Sequence, residues 1–144
     1  MKYTTQEKIA NAVKWIEVLP TAKQATEIKY KSRLGDAENG YCCLGLGCDV
    51  IGLSYRPSDG FSSEFKTAVG LLHEEGQLYG GTFYNRTTLA AVNDGTKAGF
   101  KRIAKFIKTN PYKLFHTDVA EGITNHYKKD DTKRHYGIQA MGDR

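Results

Sequence analysis

The chain has 144 residues, of which 40% are hydrophobic and 26% charged, and its formal net charge is +5. This length and composition predict one folded domain and exclude long disordered stretches, a dependence on disulfide bonds, and a transmembrane helix, which needs about 20 apolar residues. The positive charge favours anionic partners, which include small nucleotides, nucleic acids and acidic proteins.

The first predicted element is a helix that begins near Thr4. Thr4-Thr5-Gln6-Glu7 has the form of a capping box, in which the Thr4 side chain accepts from the Glu7 amide and the Glu7 side chain accepts from the Thr4 amide. Apolar residues then recur at steps of three and four until Pro20, which ends the helix. This apolar stripe consists of Ile9, Ala12, Val13, Ile16 and Leu19, with Trp15 at its margin.

Residues 21–39 predict a short strand or an extended arm. Few apolar residues occur here, and Thr26, Ile28 and Tyr30 alternate with charged residues. Glu38-Asn39-Gly40 then predicts a turn that leads into the next element.

The apolar stretch at residues 41–51 predicts the buried centre of the domain. We interpret it as a helix, because Gly45 and Gly47 would allow neighbouring elements to pack closely against it. The two glycines carry a helix-propensity cost of about 1 kcal/mol each, which close packing would have to offset.

Three cysteines lie in this stretch, and we expect them to be buried, reduced and structural. Cys42 and Cys43 are adjacent, which disfavours a disulfide between them, and Cys48 makes the count odd. Their spacing lacks the two-residue separation of zinc-binding pairs, so no metal site is predicted. A cysteine-dependent enzyme stays an alternative, with candidate bases His73, His116, His126 and His135.

The second half of the chain predicts further short elements in sequence. A helix capped by Ser62 or Ser63 would end near Gly76, and residues 82–84 predict a short strand. A helix of one or two turns is predicted at residues 88–92. The first of these helices would bury Phe65, Ala68, Val69 and Leu72.

A basic amphipathic helix is predicted next, capped by Asp94 or Thr96 and ended by Asn110-Pro111. The backbone amides at its start, together with Lys97, could instead receive a phosphate, although Asp94 would oppose an anion. Its apolar stripe is Phe100, Ile103, Ala104 and Ile107, opposite Lys97, Lys101, Lys105 and Lys108.

Taken together, these patterns predict an α+β fold, with about four helices around a buried, cysteine-rich central helix and a small, short-stranded sheet. We expect residues 1–116 to form the single globular domain. Residues 117–144 would be a basic C-terminal extension, a weak helix that carries Val119, Ile123 and Tyr127 and then a tail.

Two motifs give the chain a resemblance to a family of small bacteriophage and prophage proteins. The first is Gly40-Tyr41-Cys42-Cys43-Leu44-Gly45-Leu46-Gly47-Cys48. The second is Leu89-Ala90-Ala91-Val92-Asn93-Asp94, followed by Phe100-Lys101-Arg102-Ile103-Ala104. The chain departs from the usual pattern at Gly47, where a larger apolar residue is expected. The resemblance implies a viral accessory protein that acts in the cytosol of an infected bacterium.

A set of aromatic, basic and amide residues forms the candidate ligand site. Tyrosine rings can stack on a base, arginine and lysine can neutralise phosphate, and asparagine can read polar edges. Such residues in loops are also typical of an ordinary solvated surface. The candidates are Tyr30, Arg33, Tyr84, Asn85, Arg86, Asn93 and Lys97.

These considerations predict a non-catalytic, cytoplasmic protein that captures an anionic nucleotide-type ligand, in the manner of a cyclic nucleotide sponge that evades host defence. Neither a cofactor nor a membrane partner is expected, because no Walker loop, dinucleotide fingerprint or apolar export signal occurs. A homo-oligomer could bury such a ligand more fully between subunits. The alternative is a basic inhibitor that binds a host macromolecule or nucleic acid through the lysine face.

Overall fold

The computed structural model describes residues 2–24, 35–36, 40–53, 63–78, 86–95 and 99–140. Within these ranges the chain is mostly helical, and we number its six α-helices in chain order. They are α1 (Thr5–Val18), α2 (Cys43–Val50), α3 (Ser63–Val69), α4 (Leu89–Gly95), α5 (Phe100–Thr109) and α6 (Thr117–Ala140). Short 3-10 turns, Leu19–Thr21 and Pro111–Lys113, follow α1 and α5.

The predicted α+β fold with a small sheet is wrong. In the described ranges, extended strands pair only in one antiparallel hairpin, β1 (Gly35–Asp36) with β2 (Gly40–Tyr41), beside isolated bridges elsewhere. Strands of two residues are too short to present an apolar face, so helices packed on helices supply the core. The segments predicted as strands, 26–30 and 82–84, lie outside the described residues.

Helix α1 begins and ends as predicted. The Thr4 hydroxyl accepts from the Glu7 amide at 3.1 Å, and the Glu7 carboxylate accepts from the Thr4 amide at 2.9 Å. Trp15, which we expected at the margin of the apolar stripe, is fully buried. Its indole N–H donates to the Cys43 carbonyl at 2.8 Å, and its ring meets Phe65 edge-on at 5.0 Å between centroids. This hydrogen bond satisfies the one polar atom of the ring and so permits its burial.

Helix α2 is the buried centre of the fold, and it contacts α1, α3 and α4. All residues from Cys43 to Cys48 are buried, the prediction of buried cysteines is confirmed, and none of the three cysteines forms a disulfide bond. The unexpected glycine in this helix has a packing reason. A Cβ atom at Gly47 would lie 2.3 Å from Cζ of Phe65, so the Phe65 ring fills the space that a larger residue would occupy.

Helix α3 ends earlier than the sequence predicts. It was expected to continue to Gly76, but it stops at Val69 because Gly70 adopts a left-handed backbone with φ 75°. The Leu71 amide donates back to the Lys66 carbonyl at 3.0 Å, which is the bond of a Schellman motif. The chain then pairs with the stretch before α6, where the Leu72 amide donates to the Leu114 carbonyl at 2.9 Å.

The apolar stripe of α5 is buried as predicted, but the start of the helix differs. Its N-cap is Gly99, and no side chain caps it, so the prediction that Asp94 or Thr96 caps this helix is wrong. The reason is that α4 continues to Gly95, which places Asp94 inside a helix. The buried stripe consists of Phe100, Ile103, Ala104 and Ile107.

Helix α6 packs along α1 and closes the core. A Cβ atom at Gly122 would lie 2.2 Å from Cδ1 of Ile9, so the glycine lets the two helices approach closely. The sequence placed the end of the globular part at residue 116, and the buried residues of α6 lie beyond that position. They are Val119, Ala120, Ile123 and Tyr127. No helix in the described ranges combines the length and the apolar character that crossing a bilayer requires.

Candidate functional site

A buried amide at the end of α4 organises the centre of the molecule. In the part of the chain that the structure describes, Asn93 is the one buried polar side chain, with 0% of its surface exposed. Its Oδ1 atom accepts two hydrogen bonds, one from the Cys43 backbone amide at 3.2 Å and one from Nε2 of Gln24 at 3.1 Å. Asn93 therefore joins α4, the start of α2 and the chain that follows α1.

The start of α2 is capped from within the core. Cys42 is the N-cap residue, and its sulfur accepts from the Gly45 amide at 3.3 Å, while Asn93 accepts from the Cys43 amide. The first amides of a helix have no partner inside the helix, and water cannot reach them here because Cys42 and Cys43 are buried. The two side chains thus supply acceptors that a buried helix start requires.

Cys43 makes two further hydrogen bonds that hold the start of α2 against α1 and α4. Its carbonyl accepts from the Trp15 indole, and its Sγ atom donates to the Leu89 carbonyl at 3.8 Å. We call the group formed by Asn93, Cys42, Cys43, Trp15 and Gln24 the Asn93 node. Thiols held in this way by backbone groups in the core behave as structural residues, which agrees with the predicted role of the cysteines.

Helix α4 holds Asn93 in position through a hydrogen-bonded turn before the helix. The Thr88 hydroxyl accepts from the Ala91 amide at 3.0 Å and caps the helix start. The Leu89 amide donates to the Gly76 carbonyl at 2.9 Å, and Gly76 has a left-handed backbone with φ 72°. Before the helix, the Leu78 amide donates to the Thr87 carbonyl at 2.8 Å.

Two of the predicted site residues lie in the described ranges, Arg86 and Asn93. Arg86 is exposed and precedes α4, whereas Asn93 is buried near its end. Arg86 lies three positions before the first residue of α4, and Asn93 lies two positions before its last residue. The other predicted residues fall outside the described ranges: Tyr30, Arg33, Tyr84, Asn85 and Lys97.

Residues 25–34 and 96–98 lie outside the described ranges, but residues that flank them in the sequence lie near the Asn93 node. Residues 25–34 are preceded by Gln24, which bonds to Asn93, and followed by Gly35, which pairs with Tyr41 next to the N-cap of α2. Residues 96–98 run from the end of α4 to Gly99, where a Cβ atom would lie 4.0 Å from Oε1 of Gln24. Gln24 and Gly99, which flank the segments with Tyr30, Arg33 and Lys97 in the sequence, therefore lie close to each other and to Asn93.

Two residues of the node were missed as site residues by the sequence analysis. Trp15 gave a partial signal, because a tryptophan beside an apolar stripe can be buried when its N–H finds an acceptor. Gln24 gave none, since its partner Asn93 lies 69 positions away. Within the described ranges, no group of three His, Cys, Asp or Glu side chains is arranged to hold a metal ion.

Comparisons of the chain with protein-family models, with curated proteins and with solved structures gave no match. The resemblance to bacteriophage proteins thus stays a prediction that depends on the motif residues alone. In this chain the two motifs are in contact, because the backbone amide of Cys43 in the first donates to Asn93 in the second.

Proposed function

We propose that this protein binds an anionic nucleotide-type ligand on the surface around the Asn93 node and sequesters it without turnover. The observation that carries the proposal is the convergence of chain ends there. Gln24, which precedes the segment with Tyr30 and Arg33 in the sequence, donates to Asn93, and Gly99, which follows Lys97, lies close to Gln24.

The proposed contacts divide by chemistry. Tyrosine rings stack on the base, arginine and lysine side chains neutralise phosphate, and asparagine amides read polar edges. Arg86 is exposed and precedes α4, so a ligand that contacts both Arg86 and the surface at the node would extend along this helix. The contacts would come from Tyr30, Arg33, Tyr84, Asn85, Arg86 and Lys97. Asn93, which the sequence also suggested as a contact, is fully buried, and its Oδ1 atom already accepts from Cys43 and Gln24.

The biological setting of the proposal comes from the motif resemblance. It implies a phage accessory protein in the cytosol of an infected bacterium, where the ligand would be a nucleotide that signals infection. A protein that holds such a signal tightly lowers its free concentration and keeps it from its receptor. Assembly of two or more copies would bury the charged ligand more completely. Turnover by the cysteines is disfavoured because all three thiols are buried.

The test is to incubate the purified full chain with a panel of linear and cyclic nucleotides and to measure its melting temperature. A true ligand present at about 100 times its Kd should stabilise the fold by about 2.7 kcal/mol. The ligand is then released by heat and analysed by chromatography. Intact recovery supports capture, an altered product would identify an enzyme, and no stabilisation by any nucleotide would contradict the proposal.

Two variants locate the site. Arg33→Ala and Arg86→Ala should each reduce the stabilisation by ligand while leaving the melting temperature of the free protein unchanged. Lys14→Ala is a matched control, because Lys14 is an exposed cation on α1 and its loss removes the same charge. If the control variant weakens binding as much as the arginine variants, the site lies elsewhere.

A further inference from the structure

The net positive charge of this protein lies in one part of the chain. Residues 95–117 contain six of the 21 Lys and Arg residues and none of the 16 Asp and Glu residues. The remainder therefore has fifteen basic against sixteen acidic residues, a net charge of −1. In the sequence, the excess therefore belongs to α5 and the residues on either side of it.

Part of this positive charge lies on helix α5, where three lysines form a row along one side of the helix. Its apolar stripe is buried, while Lys101 and Lys105 are exposed and Lys108 is half-buried. These lysines are four and three positions apart, which places them along one side of the helix over about 10 Å. The Lys108 ammonium lies over the ring of Tyr127 in α6, 4.4 Å from its centroid, so this end of the row is held in place.

An exposed aromatic ring follows the row. Tyr112 is 53% exposed and is the one large hydrophobic side chain exposed in the ranges that the structure describes. It lies in the 3-10 turn after α5, between the buried residues Pro111 and Leu114. The Asn110 side-chain amide donates to the Phe106 carbonyl at 3.1 Å and braces the turn. The ring is thus presented to solvent by an ordered part of the backbone.

We propose that this surface binds single-stranded nucleic acid, with the lysines on the phosphates and Tyr112 stacked on a base. We call it the α5 basic face and define it by Lys101, Lys105, Lys108, Tyr112 and Lys113. Lysines that neutralise phosphates release condensed counterions, which drives binding without sequence preference. A base stacks on an aromatic ring only when it is unpaired, so the ring favours a single strand over a duplex.

The composition of the face favours nucleic acid over an acidic protein. Protein interfaces have an apolar centre and are depleted in lysine. The α5 basic face has four lysines and one exposed ring, and Tyr112 is the one exposed large hydrophobic residue in the described ranges. A phosphate backbone matches this pattern, because it offers a regular row of charges and needs no apolar contact.

Binding can be measured by fluorescence anisotropy of the full chain with labelled single strands of about 20 nucleotides, in DNA and RNA form. Each lysine that neutralises a phosphate contributes roughly 0.7 to the slope of log Kd against log salt concentration, so four predict a slope near 3. A duplex of the same length should bind more weakly. No binding at about 50 mM salt would overturn the proposal.

Two double variants distinguish binding by the α5 basic face from binding that depends on net charge alone. Lys101→Gln with Lys105→Gln should lower the salt slope by about 1.4 and weaken binding, since two phosphate contacts are lost. Lys14→Gln with Lys66→Gln removes the same charge from α1 and α3 and should leave the slope unchanged. Equal losses in the two pairs would show that no particular face is used and would overturn the assignment.

A substitution of the ring tests the stacking contact. Tyr112→Ala should weaken binding to the single strand by roughly fivefold or more, while Tyr112→Phe should retain it. Circular dichroism and melting temperature establish that both variants are folded. Binding to polyglutamate without binding to any oligonucleotide would assign the face to an acidic protein instead, and would overturn the proposal.

Discussion

Helices α1 and α2 are capped in different ways. The start of α1 depends on neighbouring residues, whereas the start of α2 also depends on a residue that is distant in the sequence. The start of α1 is exposed and is capped by Thr4 and Glu7, which are three positions apart. The start of α2 is buried and is capped by Cys42 together with Asn93, which lies 50 positions from Cys43. If a cap is lost at an exposed helix end, water can hydrogen-bond to the freed amides, but at a buried end it cannot. A capping hydrogen bond therefore contributes more to the free energy of unfolding at the buried end.

The largest effect is expected from Asn93→Ala. This change leaves the buried Cys43 amide and the Gln24 amide without their acceptor, which should lower the free energy of unfolding by about 1–3 kcal/mol. The melting temperature should fall by roughly 3–10 °C. Asn125→Ala removes an exposed asparagine on α6 and should change little. Equal small effects of the two variants would show that the α2 start does not depend on Asn93.

A smaller effect is expected at the local cap of α2. Cys42→Ala removes the sulfur that accepts from the Gly45 amide and should cost about 1 kcal/mol in urea denaturation. Cys42→Ser should cost less, because a hydroxyl is a stronger acceptor than a thiol and serine is a favoured N-cap residue. If serine is the more damaging substitution, the thiol contributes by apolar packing and not as a cap.

The exposed cap of α1 should matter less than either. Thr4→Ala removes one half of the capping box and should cost about 0.5–1 kcal/mol, while Thr4→Ser should be close to neutral. The measurement is again the midpoint of urea unfolding with an unchanged slope. A loss as large as that of Asn93→Ala would contradict the distinction between exposed and buried helix starts.

The smallest effect concerns pH. Accepting from the Thr4 backbone amide lowers the pKa of the Glu7 carboxyl below 4.5, and accepting from the Thr5 hydroxyl lowers the pKa of Asp118 below 3.8. Because both folded pKa values lie under the unfolded ones, this stabilisation is present above about pH 4.5 and is lost as the pH falls through the folded values. Asn93 does not titrate, so its cap persists.

Glu7→Gln isolates this contribution, since glutamine can still accept from the Thr4 amide but carries no charge. The variant should be slightly less stable than the parent near neutral pH, and this deficit should shrink as the pH falls below 4.5 and through the folded pKa of Glu7. Parallel urea titrations near neutral pH and below pH 4.5 measure the difference. The loss of stability caused by Asn93→Ala should be the same at both pH values. If this loss disappeared in acid, a titrating group would have to take part in the buried cap.

Local patterns were sufficient for several elements of the fold. The capping box and Pro20 predicted both ends of α1, and the spacing of Phe100, Ile103 and Ile107 predicted the buried side of α5. Patterns failed where a distant residue decided the outcome. Phe65 explains the glycine at position 47, and the extension of α4 to Gly95 moved the start of α5 to Phe100. The predicted α+β fold is wrong because the paired strands in the described ranges have two residues each, which is too short to form one side of a core.

By itself, the sequence determined which stretches are helical and which sides of them are apolar, because these properties depend on neighbours three or four positions apart. It also determined that the excess positive charge accompanies α5. Only the tertiary structure decided that Asn93, Gln24 and Trp15 meet at the start of α2. The buried backbone amide of Cys43 needs a hydrogen-bond acceptor, and the fold supplies one from a distant part of the chain. The separation of two residues in the sequence does not reveal how close they lie in space.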